Sequence, residues 1–231
     1  MQYANYASPP PAHGYGAPMR HHSNASHMSH HSSRLGRPQS VAYGGGYQPG
    51  PPAAPAGVDP MLWGYFTSVD VDGSGSISVT ELQRALVNGD WTQFDLDTVK
   101  MLMNIFDVDK SGTISYNEFA GLWKYIQDWQ NVFRHFDADR SGSIEGRELA
   151  DALRSFGYNL SPAIIGLVER KYASEPATGY GPPPGITFDR FVRACVVVKT
   201  LTESFQRVDT DRDGWVQLNY EQFMNIVLSA P

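Results

Sequence analysis

Asp70-Val71-Asp72-Gly73-Ser74-Gly75-Ser76-Ile77-Ser78-Val79-Thr80-Glu81 is the stretch that decides how this chain reads. Calcium is a hard cation that takes about 6–8 oxygen ligands, which a twelve-residue loop supplies from positions 1, 3, 5, 7, 9 and 12. Here Asp70, Asp72 and Ser74 offer side-chain oxygens and Ser76 offers its carbonyl. Ser78 follows, often acting through water, and Glu81 is long enough to close the site with both carboxylate oxygens. Gly75 stands at position 6, where the chain turns through a conformation that a side chain would strain.

The same pattern returns downstream. Asp107, Asp109, Ser111, the Thr113 carbonyl, Ser115 and Glu118 form a second set; Asp137, Asp139, Ser141, the Ser143 carbonyl, Glu145 and Glu148 form a third. Asp-x-Asp-x-Ser-Gly alone is an ordinary turn composition. Three copies in register, each with its Glu, are not. Glu145 gives the third loop a fourth carboxylate, so it is expected to bind tightly. A further copy begins at Asp209, Asp211 and Asp213, with Trp215 needed only for its carbonyl. Counting twelve from Asp209 reaches Tyr220, with Glu221 one residue late, so loop 209–220 is the poorer metal candidate. Between the third and last copies, 173–190 reads as a degenerate unit. It lacks the first acids and carries a Pro-rich insertion, Pro182-Pro183-Pro184, so it is not expected to bind. Repeats in the thirties are the mark of an array of helix–loop–helix units.

The expected fold is therefore all-α: five tandem EF-hands joined by short loop–loop β-bridges. Position 8 carries Ile77, Ile114, Ile144, Ile186 and Val216, the residues through which neighbouring loops pair. Hands one with two, and three with four, satisfy each other. The fifth is left over, and the simplest partner is the fifth hand of a second molecule. Val216, Tyr220, Phe223, Met224 and Val227 would form that interface. Apolar residues from Phe119 to Phe136 keep a 3–4 rhythm, predicting one helix shared by hands two and three; 189–208 predicts another.

Order is predicted to start at Asp59-Pro60, a helix cap followed by a residue suited to the first helical position. Residues 58–231 would form the domain of five tandem EF-hands. Residues 1–57 mix Pro, Gly, Tyr, His and Ser and read as a disordered arm. Three of the eighteen basic residues and none of the twenty-four acidic ones lie in 1–58, so the rest carries a net charge of −9. Such acidity argues against a nucleic-acid partner, whose phosphates call for clustered Lys and Arg. A single cysteine, Cys195 in an apolar helical run, excludes an internal disulfide and a Cys-rich zinc site. No apolar run nears the roughly 20 residues that span a bilayer. The chain also lacks a charged-then-apolar leader, so a cytoplasmic location is expected.

Several longer segments carry a family resemblance. Asn88-Gly89-Asp90-Trp91, Leu122-Trp123-Lys124-Tyr125-Ile126, Asp128-Trp129-Gln130-Asn131-Val132-Phe133-Arg134, Ser155-Phe156-Gly157-Tyr158 and Asp209-Thr210-Asp211-Arg212-Asp213-Gly214-Trp215 resemble the penta-EF-hand family across nearly all of 59–231. The complete second loop and the Pro-rich insertion depart from the family pattern. The resemblance implies a calcium sensor that forms homodimers or heterodimers with another member, and a pocket for Pro-rich partners near Trp123, Tyr125 and Trp129. At helical spacing those rings fit a packed core as well as a groove. Recruitment to membranes or vesicles on calcium binding is a further expectation. A non-catalytic subunit of a calpain-like protease and a passive calcium buffer are the alternatives. Cys195 and His135 offer no catalytic constellation, so no enzyme activity is expected.

Overall fold

The computed structural model describes residues 54–174 and 185–230. The proposed arm thus lies almost wholly outside the described residues, as does the Pro182–Pro184 insertion. Eight helices make up the described chain: α1 Pro60–Val69, α2 Val79–Ala85, α3 Leu96–Phe106, α4 Tyr116–Phe136, α5 Gly146–Ser155, α6 Pro162–Tyr172, α7 Phe188–Val208 and α8 Tyr220–Leu228. They read as five helix–loop–helix units because α4 and α7 each serve two hands.

Local chemistry sets the boundaries. The Asp59 carboxylate accepts from the amides of Met61 and Leu62 at 2.8 and 3.2 Å, and Pro60 opens α1. The helices that leave the first three loops begin with reciprocal capping boxes, Ser78 with Glu81, Ser115 with Glu118 and Glu145 with Glu148. α4 runs 21 residues because Phe119, Leu122, Ile126, Trp129 and Phe133 bury one continuous face. Phe66 is the buried anchor of α1, and Met61 stands 71% exposed.

One hydrophobic cluster runs through the molecule from Phe66 to Val198. Its aromatic rings meet edge-on: Phe66 with Phe119, Phe106 with Tyr125, Trp129 with Phe191, and Phe133 with Phe188, at centroid separations of 5.3–5.9 Å. Loops pair as the position-8 residues predict. Ile77 and Ile114 exchange both backbone hydrogen bonds at 2.8 Å, as do Ile144 and Ile186, and all four side chains are fully buried.

A further bridge, Val87 with Gln93, closes a tight turn between α2 and α3. Trp91 sits in that turn with φ +67°, a conformation uncommon for a bulky residue. Asn88 explains the turn's position: its side-chain oxygen accepts from the Asp189 amide at 3.1 Å, joining the turn to the start of α7. The Asp95 amide donates to the buried Asp189 carboxylate at 2.6 Å, and Arg193 pairs with both Asp95 and Asp97. Hands one and two are thereby fastened to hands three and four near the starts of α3 and α7.

Candidate metal centres

In the first loop, Asp70 caps the end of α1 and its carboxylate accepts from the amides of Ser74 and Gly75 at 3.0 and 2.9 Å. Asp72 accepts from the Ser74 amide at 2.9 Å. Glu81, three residues into α2, spans the loop: one carboxylate oxygen accepts from the Val71 amide and the other from the Ser78 amide, both at 2.9 Å. The second loop repeats this with Glu118 on Val108 and Ser115, and the third with Glu148 on Ala138 and Glu145. Backbone amides therefore aim the carboxylates inward. Candidate ligand oxygens of Asp70, Asp72 and Glu81 lie within 4.8 Å of one another, as do those of Asp107, Asp109 and Glu118, and of Asp137, Asp139 and Glu148.

Those hydrogen bonds favour the charged carboxylates. The Ser78 amide and hydroxyl hold Glu81 below its ordinary 4.5. The Ser111 hydroxyl and amide lower Asp109, and the Ser141 amide and hydroxyl lower Asp139. Ser74, Ser111 and Ser141 donate to the position-7 carbonyls of Ser76, Thr113 and Ser143 at 2.8, 3.1 and 2.9 Å. Both partners of each such bond are candidate ligands, so a cation would be met by oxygens already gathered. Gly75, Gly112 and Gly142 adopt φ near +80°, as position 6 requires.

The fifth loop is built differently. Oxygens of Asp209, Asp211 and Asp213 gather within 4.8 Å, and one buried oxygen of Asp209 has no hydrogen-bond partner. Yet the cap of α8 is Asn219, ten residues after Asp209, whereas Ser78 follows Asp70 by eight. The loop is two residues longer than the others. Gln222 occupies the place that Glu81 holds in α2, with its side chain on the Asn219 amide at 3.0 Å. The residue that α8 turns toward the loop is thus a neutral amide, and neither Tyr220 nor Glu221 stands there. The Asn219-Tyr220-Glu221-Gln222 capping box was the available signal, and counting twelve residues passes over it. The extra residues fall between Gly214 and Asn219, so Val216 and Leu218 are both candidates for pairing. Each is half-buried, and neither forms a bridge among the described residues.

Of the groove residues, Tyr125 and Trp129 are buried in the core, and burial pushes the Tyr125 phenol well above its usual range. Trp123 is half-buried and stacks on Tyr65 at 4.7 Å. Cys195 is likewise buried, which raises its thiol. The dimer candidates lie at the surface: Tyr220 is 78% exposed, Phe223 and Val227 are about half exposed, and Met224 is half-buried.

A family model described as an EF-hand domain pair matches residues 63–124 and again 126–228. Human peflin is 43% identical over 176 residues, and human sorcin is 37% identical over 194 residues that cover 81% of this chain and 93% of sorcin. The chain belongs to the penta-EF-hand family. The match to human peflin covers 76% of this chain but only 60% of that protein. A solved structure of a homologue of programmed cell death 6 protein from Leishmania major Friedlin superposes with a TM-score of 0.60 at 30% identity, covering 74% of this chain and 94% of that one. As a penta-EF-hand protein the chain binds calcium, in keeping with its acidic loop clusters. No helix among the described residues is long and apolar enough to cross a membrane.

Proposed function

We propose that this penta-EF-hand protein is a calcium-responsive adaptor that dimerises through its fifth hand and, when loaded, recruits partners bearing Pro-rich segments. The observation that carries the reading is α8. It has no buried residue, it packs on α7 alone among the strongly contacting helices, and it leaves Tyr220, Phe223, Val227 and Leu228 exposed, as is Trp215 in the preceding loop. An amphipathic helix of this kind gains its stability by packing its apolar face, and among the described residues only α7 packs strongly against it. A second copy, or the fifth hand of another family member, has a matching surface.

Calcium enters through the first three loops, with Glu81, Glu118 and Glu148 as the closing ligands. For the partner, the Trp129 indole N–H and the Tyr125 hydroxyl lie buried next to one another in the core. Movement of α4 on loading would let those groups donate to peptide carbonyls while the rings take prolines. A role at membranes or vesicles would then follow from the partner, the adaptor itself working from the cytoplasm.

Sedimentation with and without calcium tests the reading. The chain should run as a dimer at micromolar concentration, and Phe223→Glu with Val227→Glu should give a monomer that still binds calcium. A loaded wild-type chain that sediments as a monomer would refute it.

A further inference from the structure

In the four hands with acidic loops, the same frame recurs. The residue capping the end of the incoming helix is the position-1 Asp: Asp70, Asp107, Asp137 and Asp209. The third residue of the outgoing helix closes the loop: Glu81, Glu118, Glu148 and Gln222. Laid on the fourth hand, that frame picks out Ala173, which caps α6, and Arg190, the third residue of α7 after its cap Thr187. The Arg190 guanidinium donates to the Ala173 carbonyl at 2.7 Å. Where the first three hands set a carboxylate across from a carboxylate and leave the cation to the solvent, the fourth sets a cation of its own against a carbonyl.

We infer that Arg190 is the resident cation of the fourth hand: it ties α6 to α7 without metal, and through the Ile144–Ile186 pair it prepares the third loop for calcium. Three features suit it to this. A guanidinium stays charged at any pH the protein meets and presents several donors in a fixed plane, so one group holds two partners. The second partner is Asp95, whose carboxylate lies 3.6 Å from Arg190 and also meets Arg193, so the tie reaches hand two as well. The fourth loop also leans directly on the third, with both backbone bonds between Ile144 and Ile186 at 2.8 Å. A loop whose partner is already closed loses less freedom on binding its ion, which is positive coupling without contact to the metal. The first and second loops each carry carboxylates at both of these places, so neither holds a cation of its own.

The calcium half of this inference rests on the third loop being a binding site, so the experiment separates the two. Amide hydrogen exchange on the full chain in a chelator reads the tie alone. Ile144 and Ile186 should exchange roughly tenfold or more slowly than Ile77 and Ile114, and Arg190→Ala should abolish the difference. Equal protection of the two pairs in the wild-type chain would overturn the inference, whatever the variant does. Calcium titration in a Glu81→Gln, Glu118→Gln, Asp211→Asn, Asp213→Asn background then isolates the third loop. Adding Arg190→Ala should weaken binding roughly tenfold, within the usual range for coupled sites, with Arg190→Lys falling between. Unchanged third-loop affinity in Arg190→Ala would overturn the coupling. Loss of all binding in the background chain would refute the third loop as a site and leave the exchange result to decide the tie.

Discussion

Gly185 lies so close to Ser143 that a Cβ on it would stand 2.5 Å from the Ser143 hydroxyl oxygen and 3.0 Å from the Ile144 carbonyl. The pairing of the third and fourth loops therefore depends on a missing side chain. Gly185→Ala should cost about 1–3 kcal/mol, as over-packing does in a close-fitted interior. Gly89→Ala, with open space around it and an ordinary φ, should cost far less and serves as the control. Urea denaturation of the two variants in chelator measures the difference.

Gln222, held on the Asn219 amide at 3.0 Å, gives the clearest way to probe the fifth loop. Gln222→Glu should supply the closing carboxylate and raise the affinity of the Asp209, Asp211, Asp213 cluster about tenfold or more, or about 1.4 kcal/mol. Tyr220→Glu, which puts the acid at the twelfth residue by count, should not. Calorimetric calcium titration distinguishes them, and the opposite order of effects would show that the loop closes at Tyr220.

Removing Asp189 should loosen the joint between the two pairs of hands. Its buried carboxylate accepts from the Asp95 amide and the Thr187 hydroxyl, both at 2.6 Å. Asp189→Ala leaves the Asp95 amide without its acceptor and should cost about 1–3 kcal/mol. Thermal unfolding would register the loss, and a midpoint unchanged from wild type would mean that water replaces the carboxylate.

Acid should weaken the metal-free fold through the loop carboxylates. Glu81, Asp109 and Asp139 are held below their ordinary values of 4.5, 3.8 and 3.8. The unfolded chain therefore takes up protons first. The stability these groups contribute is fully present above those ordinary values and is lost as the pH falls through the lower native ones. Denaturation in chelator between about pH 6 and pH 3 should follow that course. Ser78→Ala, which removes a donor from Glu81, should flatten part of the slope.

What could be read ahead of the structure divides by range. Asp59-Pro60, Ser78 with Glu81, and the rhythm from Phe119 to Phe133 act on their own helices, so residue type and spacing announce them. Ile77, Ile114, Ile144 and Ile186 were also legible as pairing residues, because each sits at a fixed step from a recognisable glycine or helix start. Arg190 was not legible as a closing residue, because the Pro-rich insertion breaks the count from Ala173. Gln222 was hidden by two extra residues in a loop whose first half looks regular. Burial of Tyr125 and Trp129 depends on where α7 lies against α4, and periodicity along α4 carries no information about its neighbour.

The length of α4 has one last effect. Its first turn carries Glu118, which closes the second loop, and its last residue precedes Asp137, which opens the third. At about 1.5 Å per residue, its 21 residues form a stiff lever about 30 Å long with a candidate metal ligand at each end. A swing of α4 driven at the Glu118 end would change the aim of Asp137 at the other. Buried in the lever's middle are Tyr125 and Trp129, so any swing that serves the ions also shears the packing around those rings.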